Sequence, residues 1–148
     1  MPQLNLKPTH KPIRDYYATL QQYEQHDVTH EGAVSAPFET LLNTCARQVN
    51  ATLIPQYAMH TATGDRIVID GAVLNEYGIP IAYWEAKDID DDLDRAVQQK
   101  REAGYPLDNI LFQTPERGIL VQNEQVALDL DISEPANLVE SLKYNDLC

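Results

Sequence analysis

The segment that most constrains the fold of this chain runs from Arg66 to Asp88, RIVIDGAVLNEYGIPIAYWEAKD. β-Branched apolar residues fill positions 67–69, and a second apolar run covers positions 79–84. Between these runs, Asn75 to Gly78 carries the residue types that favour turns. Two apolar runs of strand length joined by a short polar turn predict an antiparallel β-hairpin.

The hairpin carries charged residues whose placement follows from strand geometry. Side chains alternate between faces along a strand, so Glu85 and Lys87 point the same way. If the turn is centred between positions 76 and 77, Asp70 lies opposite Tyr83 and shares the face of Glu85. The α-carbons of Asp70 and Glu85 would then lie roughly 7–8 Å apart, so both carboxylates could reach one cation. A register slip of one residue would move Asp70 to the other face.

Paired carboxylates beside a lysine are suited to phosphodiester hydrolysis. Hard divalent cations bind carboxylate and carbonyl oxygens, activate water and stabilise charge on a phosphate. Asp70, Glu85 and the backbone carbonyl of Ala86 are therefore candidate metal ligands, and Lys87 would contact the water or the phosphate. The alternative is a hairpin that ends in ordinary surface charges, because the pattern Asp-(x)n-Glu-x-Lys also arises by chance.

The charge of the chain bears on how it could meet a polyanion. Its 148 residues include 11 Lys and Arg against 23 Asp and Glu, a formal net charge of −12. DNA affinity comes largely from neutralising phosphates, so this chain is expected to bind DNA poorly alone. Cys45 and Cys148 suggest neither a disulfide nor a zinc site, which fits a cytoplasmic protein. No segment is typical of a membrane helix, and residues 1–12 lack the apolar core of a secretory signal.

The rest of the sequence predicts a mixed sheet flanked by helices. Residues 1–14 are expected to form a tail or arm, and residues 15–148 a single domain. Helices are expected at 16–25, from about Thr29 to Asn50 with either a kink or a restart at Pro37, at about 91–103, and after a cap at Ser133. Besides the hairpin, strands are expected at 52–59, 109–113, 119–122 and 126–131. The order α-α-β-β-β-α-β-β-β-α favours an α/β (α+β) fold with a mixed sheet.

Several motifs resemble a known group of nucleases. Asp70, Glu85 and Lys87 on neighbouring strands resemble the active site of the PD-(D/E)xK superfamily, and the element order resembles its restriction-endonuclease-like core. THEGAV (29–34), YWEAKD (83–88) and GYPLDNILF (104–112) occur in this order. They are similar to the N-terminal nuclease domain of type ISP restriction–modification enzymes and of related type IIG and type I-like enzymes. The similarity covers roughly residues 16–125.

The resemblance implies an endonuclease that cuts double-stranded DNA with Mg²⁺, or with Mn²⁺ as a substitute. It implies that Asp70, Glu85 and Lys87 are catalytic. Glu31, in the THEGAV segment, is implied as an accessory residue near the metal, with Glu39 two turns later as the alternative. Some relatives also use a glutamine in a Q-xxx-Y pattern on the helix after the second strand. Here Gln98 and Gln99 are the candidates, but neither is followed by tyrosine at that spacing.

In that family the nuclease is one part of a long polypeptide. A helicase-like ATPase, a methyltransferase and a target-recognition region follow it, and no P-loop or methyltransferase motif occurs here. The resemblance therefore implies an excised domain or a stand-alone relative, to which the missing parts would deliver DNA. Two alternatives stay open, a structure-specific nuclease such as a junction resolvase and a non-catalytic acidic interaction domain on the same fold.

Overall fold

The structure, a computed structural model, describes residues 4–28 and 31–145, without the side chains of residues 31–34. Within these ranges four helices and six strands follow one another in the predicted order. The helices are α1 (Lys11–Gln25), α2 (Glu31–Gln48), α3 (Leu93–Glu102) and α4 (Pro135–Tyr144). The strands are β1 (Thr52–His60), β2 (Arg66–Leu74), β3 (Pro80–Ala86), β4 (Asn109–Gln113), β5 (Arg117–Gln122) and β6 (Gln125–Asp131).

The six strands form one mixed sheet in the order β1-β2-β3-β4-β5-β6. Neighbouring strands are antiparallel except β3 and β4, which are parallel because the chain crosses over through α3 between them. Strand β1 lies at an edge of the sheet, which suits Pro55 because proline cannot donate a ladder hydrogen bond. The predicted fold class, a mixed sheet flanked by helices, is confirmed.

Helices cover both faces of the sheet, and strand alternation decides which side chains meet which helices. Leu111 belongs to a core cluster that includes buried residues of α1, α2 and α4. Its neighbours Ile110 and Phe112 belong to the second cluster, with buried residues of α3. Every residue of β4 is buried, as expected for a central strand covered on both faces. The end of β3 that carries Glu85 therefore lies beside a strand that is buried throughout.

Helix boundaries differ from the predicted ones at three places. Helix α1 begins at Lys11 rather than at residue 16, and Leu4 and Leu6 are buried, so the predicted arm packs on the domain. Helix α2 continues through Pro37, so the predicted alternative of a helix restart there is wrong. Phe38 and the other buried residues of α2 pack against the sheet, and tertiary packing of this kind outweighs local propensity.

The third difference is the start of α4. Glu134, not the predicted Ser133, occupies the N-cap position. The Ser133 hydroxyl instead donates to the Asp131 carboxylate in the preceding turn. A short polar side chain can satisfy a turn as well as a helix end, so sequence alone does not separate these two uses.

Candidate active site

The register of the β2–β3 hairpin decides where its charged side chains meet. Gly71 pairs with Trp84, and continuing this antiparallel register by one residue sets Asp70 opposite Glu85. The predicted partner of Asp70, Tyr83, instead pairs with Ala72, so the predicted register is wrong by two residues. An even shift keeps side-chain parity, so Asp70 and Glu85 still share a face.

Two separate offsets produce this shift of two residues. Leu74 pairs with Pro80, which centres the turn on Tyr77 rather than between residues 76 and 77. Val73 then pairs with Ala82, so Ile81 is an extra residue in β3. Either offset alone would have moved Asp70 to the opposite face, and together they restore it.

The two carboxylates are fixed by backbone amides at the end of the paired region. The Asp70 N–H donates to Glu85 Oε1 at 2.9 Å, and the Ala86 N–H donates to Asp70 Oδ2 at 2.8 Å. Each carboxylate thereby accepts a hydrogen bond that a backbone carbonyl accepts in a regular ladder. The N–H and C=O of a strand residue point to the same side of the strand, so the Ala86 carbonyl also points toward the β2 side.

Glu85 is a buried carboxyl group in an environment that disfavours its charge. Its residue is 3% exposed. Burial, and then the negative charge of Asp70, raise the pKa of Glu85 to about 7, against the opposing effects of the Asp70 N–H, Lys100 and Lys87. A buried carboxyl group beside a second carboxylate would be stabilised by a cation.

Hard oxygen ligands at this place fit a small divalent cation. Among the described side chains, no group of three or more His, Cys, Asp or Glu could hold a metal ion. Asp70, Glu85 and the Ala86 carbonyl are the groups that would hold a cation here, with water as its other ligands. Mg²⁺ is commonly bound in proteins through one or two carboxylates while it keeps several waters. The donor set therefore fits Mg²⁺.

Lys87 follows the end of β3, two residues after Glu85. Its charge acts on Glu85, and its backbone N–H donates to Gln113 O at 2.8 Å, which fixes the end of β3 against β4. Its side chain lines a surface depression of about 310 Å³ together with Gln99 and the acidic start of α3. Of the two glutamines considered, Gln99 therefore lies near Lys87, whereas Gln98 Nε2 donates to Glu102 at 3.3 Å.

The two accessory glutamates are not brought to the pair by any described contact. Glu31 begins α2, but its side chain lies outside the described residues. Glu39 is half-buried on α2, and within the described part of the chain no hydrogen bond or ion pair joins it to Asp70, Glu85 or Lys87. Their accessory roles therefore stay predictions.

A second lysine, absent from the predicted site, reaches the carboxylates from α3. Lys100 Nζ lies 3.8 Å from Glu85 Oε2. The signal for it was present in the sequence, because Leu93, Ala96 and Val97 form the buried stripe of α3 and Lys100 continues that stripe. A lysine on the sheet-facing side of an amphipathic helix is unusual enough to mark a partner inside the fold.

Tyr105, which follows α3, holds this lysine in place. Lys100 Nζ donates to the Tyr105 hydroxyl at 3.2 Å and lies 4.5 Å from the centre of its ring. Burial acts to lower the pKa of Lys100, but the Tyr105 hydrogen bond and the Glu85 charge outweigh it and raise the pKa. The ammonium is therefore charged beside the carboxylate pair.

Comparison with known proteins connects this fold to a solved DNA complex. The chain matches the cryo-EM structure of the DrdV–DNA complex with a TM-score of 0.87 and 28% sequence identity. The match covers 91% of this chain but only 13% of that chain. It confirms the predicted restriction-endonuclease-like fold. No family model and no curated protein matches the sequence.

One further observation concerns membranes. In the ranges that the structure describes, no helix combines the length and the apolar character needed to cross a bilayer.

Proposed function

We propose that this chain is a Mg²⁺-dependent endonuclease domain that hydrolyses phosphodiester bonds of double-stranded DNA. The observation that carries the proposal is the amide-held pair of Asp70 and Glu85 where β2 and β3 stop pairing, with Lys87 beside it. A fold match to a protein solved with DNA supports DNA as the substrate. The THEGAV, YWEAKD and GYPLDNILF segments support a cleavage module of a type ISP-like restriction–modification enzyme.

The protein groups have distinct roles in this proposal. Asp70, Glu85 and the Ala86 carbonyl would hold Mg²⁺, or Mn²⁺ in its place, and the metal would supply Lewis-acid activation of water and phosphate. The amides of Asp70 and Ala86 orient the carboxylates before substrate arrives, so little reorganisation is needed during the reaction. Lys87 would place a positive charge against the phosphate or orient the attacking water.

The acidity of the chain supports a model in which other parts of a larger protein bring the DNA. A net charge of −12 repels a duplex, and the neighbour that contains this fold is far longer, since the match covers 13% of it. We propose that helicase-like, methyltransferase and target-recognition regions hold the DNA in the cytoplasm, where restriction–modification acts. The domain would then contribute cleavage rather than affinity.

Substitution of Lys87 tests this assignment. Lys87→Ala should lower the rate of Mg²⁺-dependent cleavage by at least about 100-fold, because a charge aimed at the reacting phosphate is lost. Lys7→Ala serves as the control, because Lys7 is exposed and lies 80 residues before Lys87 in the sequence. This variant should cut normally. Circular dichroism should show an unchanged fold for both variants. Normal cutting by a folded Lys87→Ala variant would contradict the assignment.

A further inference from the structure

Lys100 lies where an incoming metal ion would meet a positive charge. We propose that the ammonium of Lys100 is the resident cation of the Asp70–Glu85 pair, and that a divalent cation binds there only by displacing it. The inference rests on the proposed metal site and adds a residue that sets its affinity.

Geometry shows that Lys100 is directed to this place by the fold. Its side chain is 24% exposed, that of Glu85 is 4% exposed, and their charged atoms lie 3.8 Å apart. The Tyr105 hydroxyl accepts a hydrogen bond from the ammonium and lies 3.4 Å from the Val68 carbonyl oxygen on β2. Tyr105 therefore ties Lys100 to the strand that carries Asp70, as expected of a positioned group rather than a mobile surface lysine.

The balance of charges gives this arrangement a consequence. Asp70 and Glu85 carry two negative charges when ionised, and Lys87 and Lys100 carry two positive charges, so the group is neutral without a metal. A divalent cation held by the same carboxylates would add two positive charges near Lys100, and like charges repel strongly in a partly buried site. Lys100 therefore weakens metal binding when no DNA is present. Once released from Glu85, its ammonium would need a new anionic partner, and a DNA phosphate could serve as that partner.

Calcium binding to the intact chain tests the inference without any cleavage. Ca²⁺ replaces Mg²⁺ in isothermal titration calorimetry at low salt and at about pH 8.5, which lies above the raised pKa of Glu85. Lys100→Met should bind Ca²⁺ at least about threefold more tightly than the wild type, because the competing charge is gone. Arg101→Met is the matched control, since Arg101 follows on the same helix and donates to Glu124 O instead. It should change the affinity less than twofold.

Asp70→Asn identifies which site the calorimeter reports. If it abolishes binding but Lys100→Met binds no more tightly than the wild type, the role of Lys100 is overturned and the metal site stands. If neither the wild type nor Lys100→Met binds Ca²⁺, both the metal site and this inference fail. A purely structural lysine would weaken the site when removed, so tighter binding is the distinguishing result.

Tyr105→Phe provides a second variant should Lys100→Met fail to fold. It keeps the ring under the ammonium and removes the hydroxyl that holds it. Ca²⁺ affinity should rise in the same direction by a smaller factor. Unchanged or weaker binding by a folded Tyr105→Phe variant would count against Lys100 as the resident cation.

Discussion

At the scale of single residues, Glu85 is placed where its charge destabilises the native fold. Its pKa of about 7 means that ionisation is harder in the folded chain than in the unfolded one. A domain that served only as an interaction surface would be more stable with a neutral side chain here. Shifted carboxyl groups of this kind concentrate at functional sites, which favours catalysis over the acidic interaction domain.

The raised pKa of Glu85 predicts how stability depends on pH. The native state holds the proton more tightly than the unfolded state, so this stabilisation is complete below about pH 4.5 and is lost as the pH rises through about 7. Glu85→Gln should therefore unfold with a free energy about 1–3 kcal/mol higher than the wild type at pH 8. The difference should shrink at pH 5, where the wild-type carboxyl is protonated.

Urea unfolding at the two pH values measures this difference. Glu76→Gln, at an exposed position of the hairpin turn, is the control and should show no such pH-dependent gain. Equal stability of Glu85→Gln and the wild type at pH 8 would show that the Glu85 charge costs the fold nothing.

At the scale of elements, the sequence predicts the type and order of helices and strands better than it predicts strand register and helix packing. The apolar runs and turn residues predict all ten elements in order, because these signals are local. The bulge at Ile81 could not be predicted, because it depends on how β3 packs after pairing. Asp70 and Glu85 were predicted to share a face and they do, although through a register that differs from the predicted one. The apolar stripe of α3 places Lys100 on the sheet-facing side, but its partner Glu85 depends on how α3 packs on the sheet, which the sequence does not show.

Close packing around Gly71 in β2, next to Asp70, supports the site. A β-carbon there would lie 2.9 Å from Cε3 of Trp84 and 3.0 Å from Leu53. Trp84 cannot easily move, because its ring stacks on Phe38 with centroids 5.5 Å apart and its Nε1 donates to Gln113. Gly71→Ala should therefore destabilise the fold by roughly 1–3 kcal/mol in urea unfolding. An unchanged unfolding midpoint would mean that the Trp84 ring moves away without a loss of stability.

At the scale of the whole molecule, the acidic composition implies that this chain contributes cleavage and that its own affinity for DNA is weak. Eleven basic residues are spread through the chain, and one of them, Lys100, is already paired with Glu85. Few phosphates can be neutralised, so few counterions are released when DNA binds. Repulsion by the net charge of −12 extends over a Debye length of about 8 Å at physiological salt.

Weak DNA affinity is the prediction that follows from this charge. Titration of labelled duplex DNA with the chain, at about 150 mM salt and with Ca²⁺ to prevent cutting, should show no submicromolar binding. Submicromolar binding would contradict delivery by other domains. It would favour a self-sufficient nuclease, the class to which junction resolvases belong.

Cleavage by the chain at high concentration tests the central claim most directly. With plasmid DNA at low salt and about 10 mM Mg²⁺, the wild type should cut slowly, and EDTA should stop the reaction. Asp70→Asn should abolish the cutting, because half of the carboxylate pair is lost. Asp65→Asn, at an exposed position of the β1–β2 turn, should cut like the wild type. Equal cutting by Asp70→Asn and the wild type would contradict a nuclease site at Asp70 and Glu85.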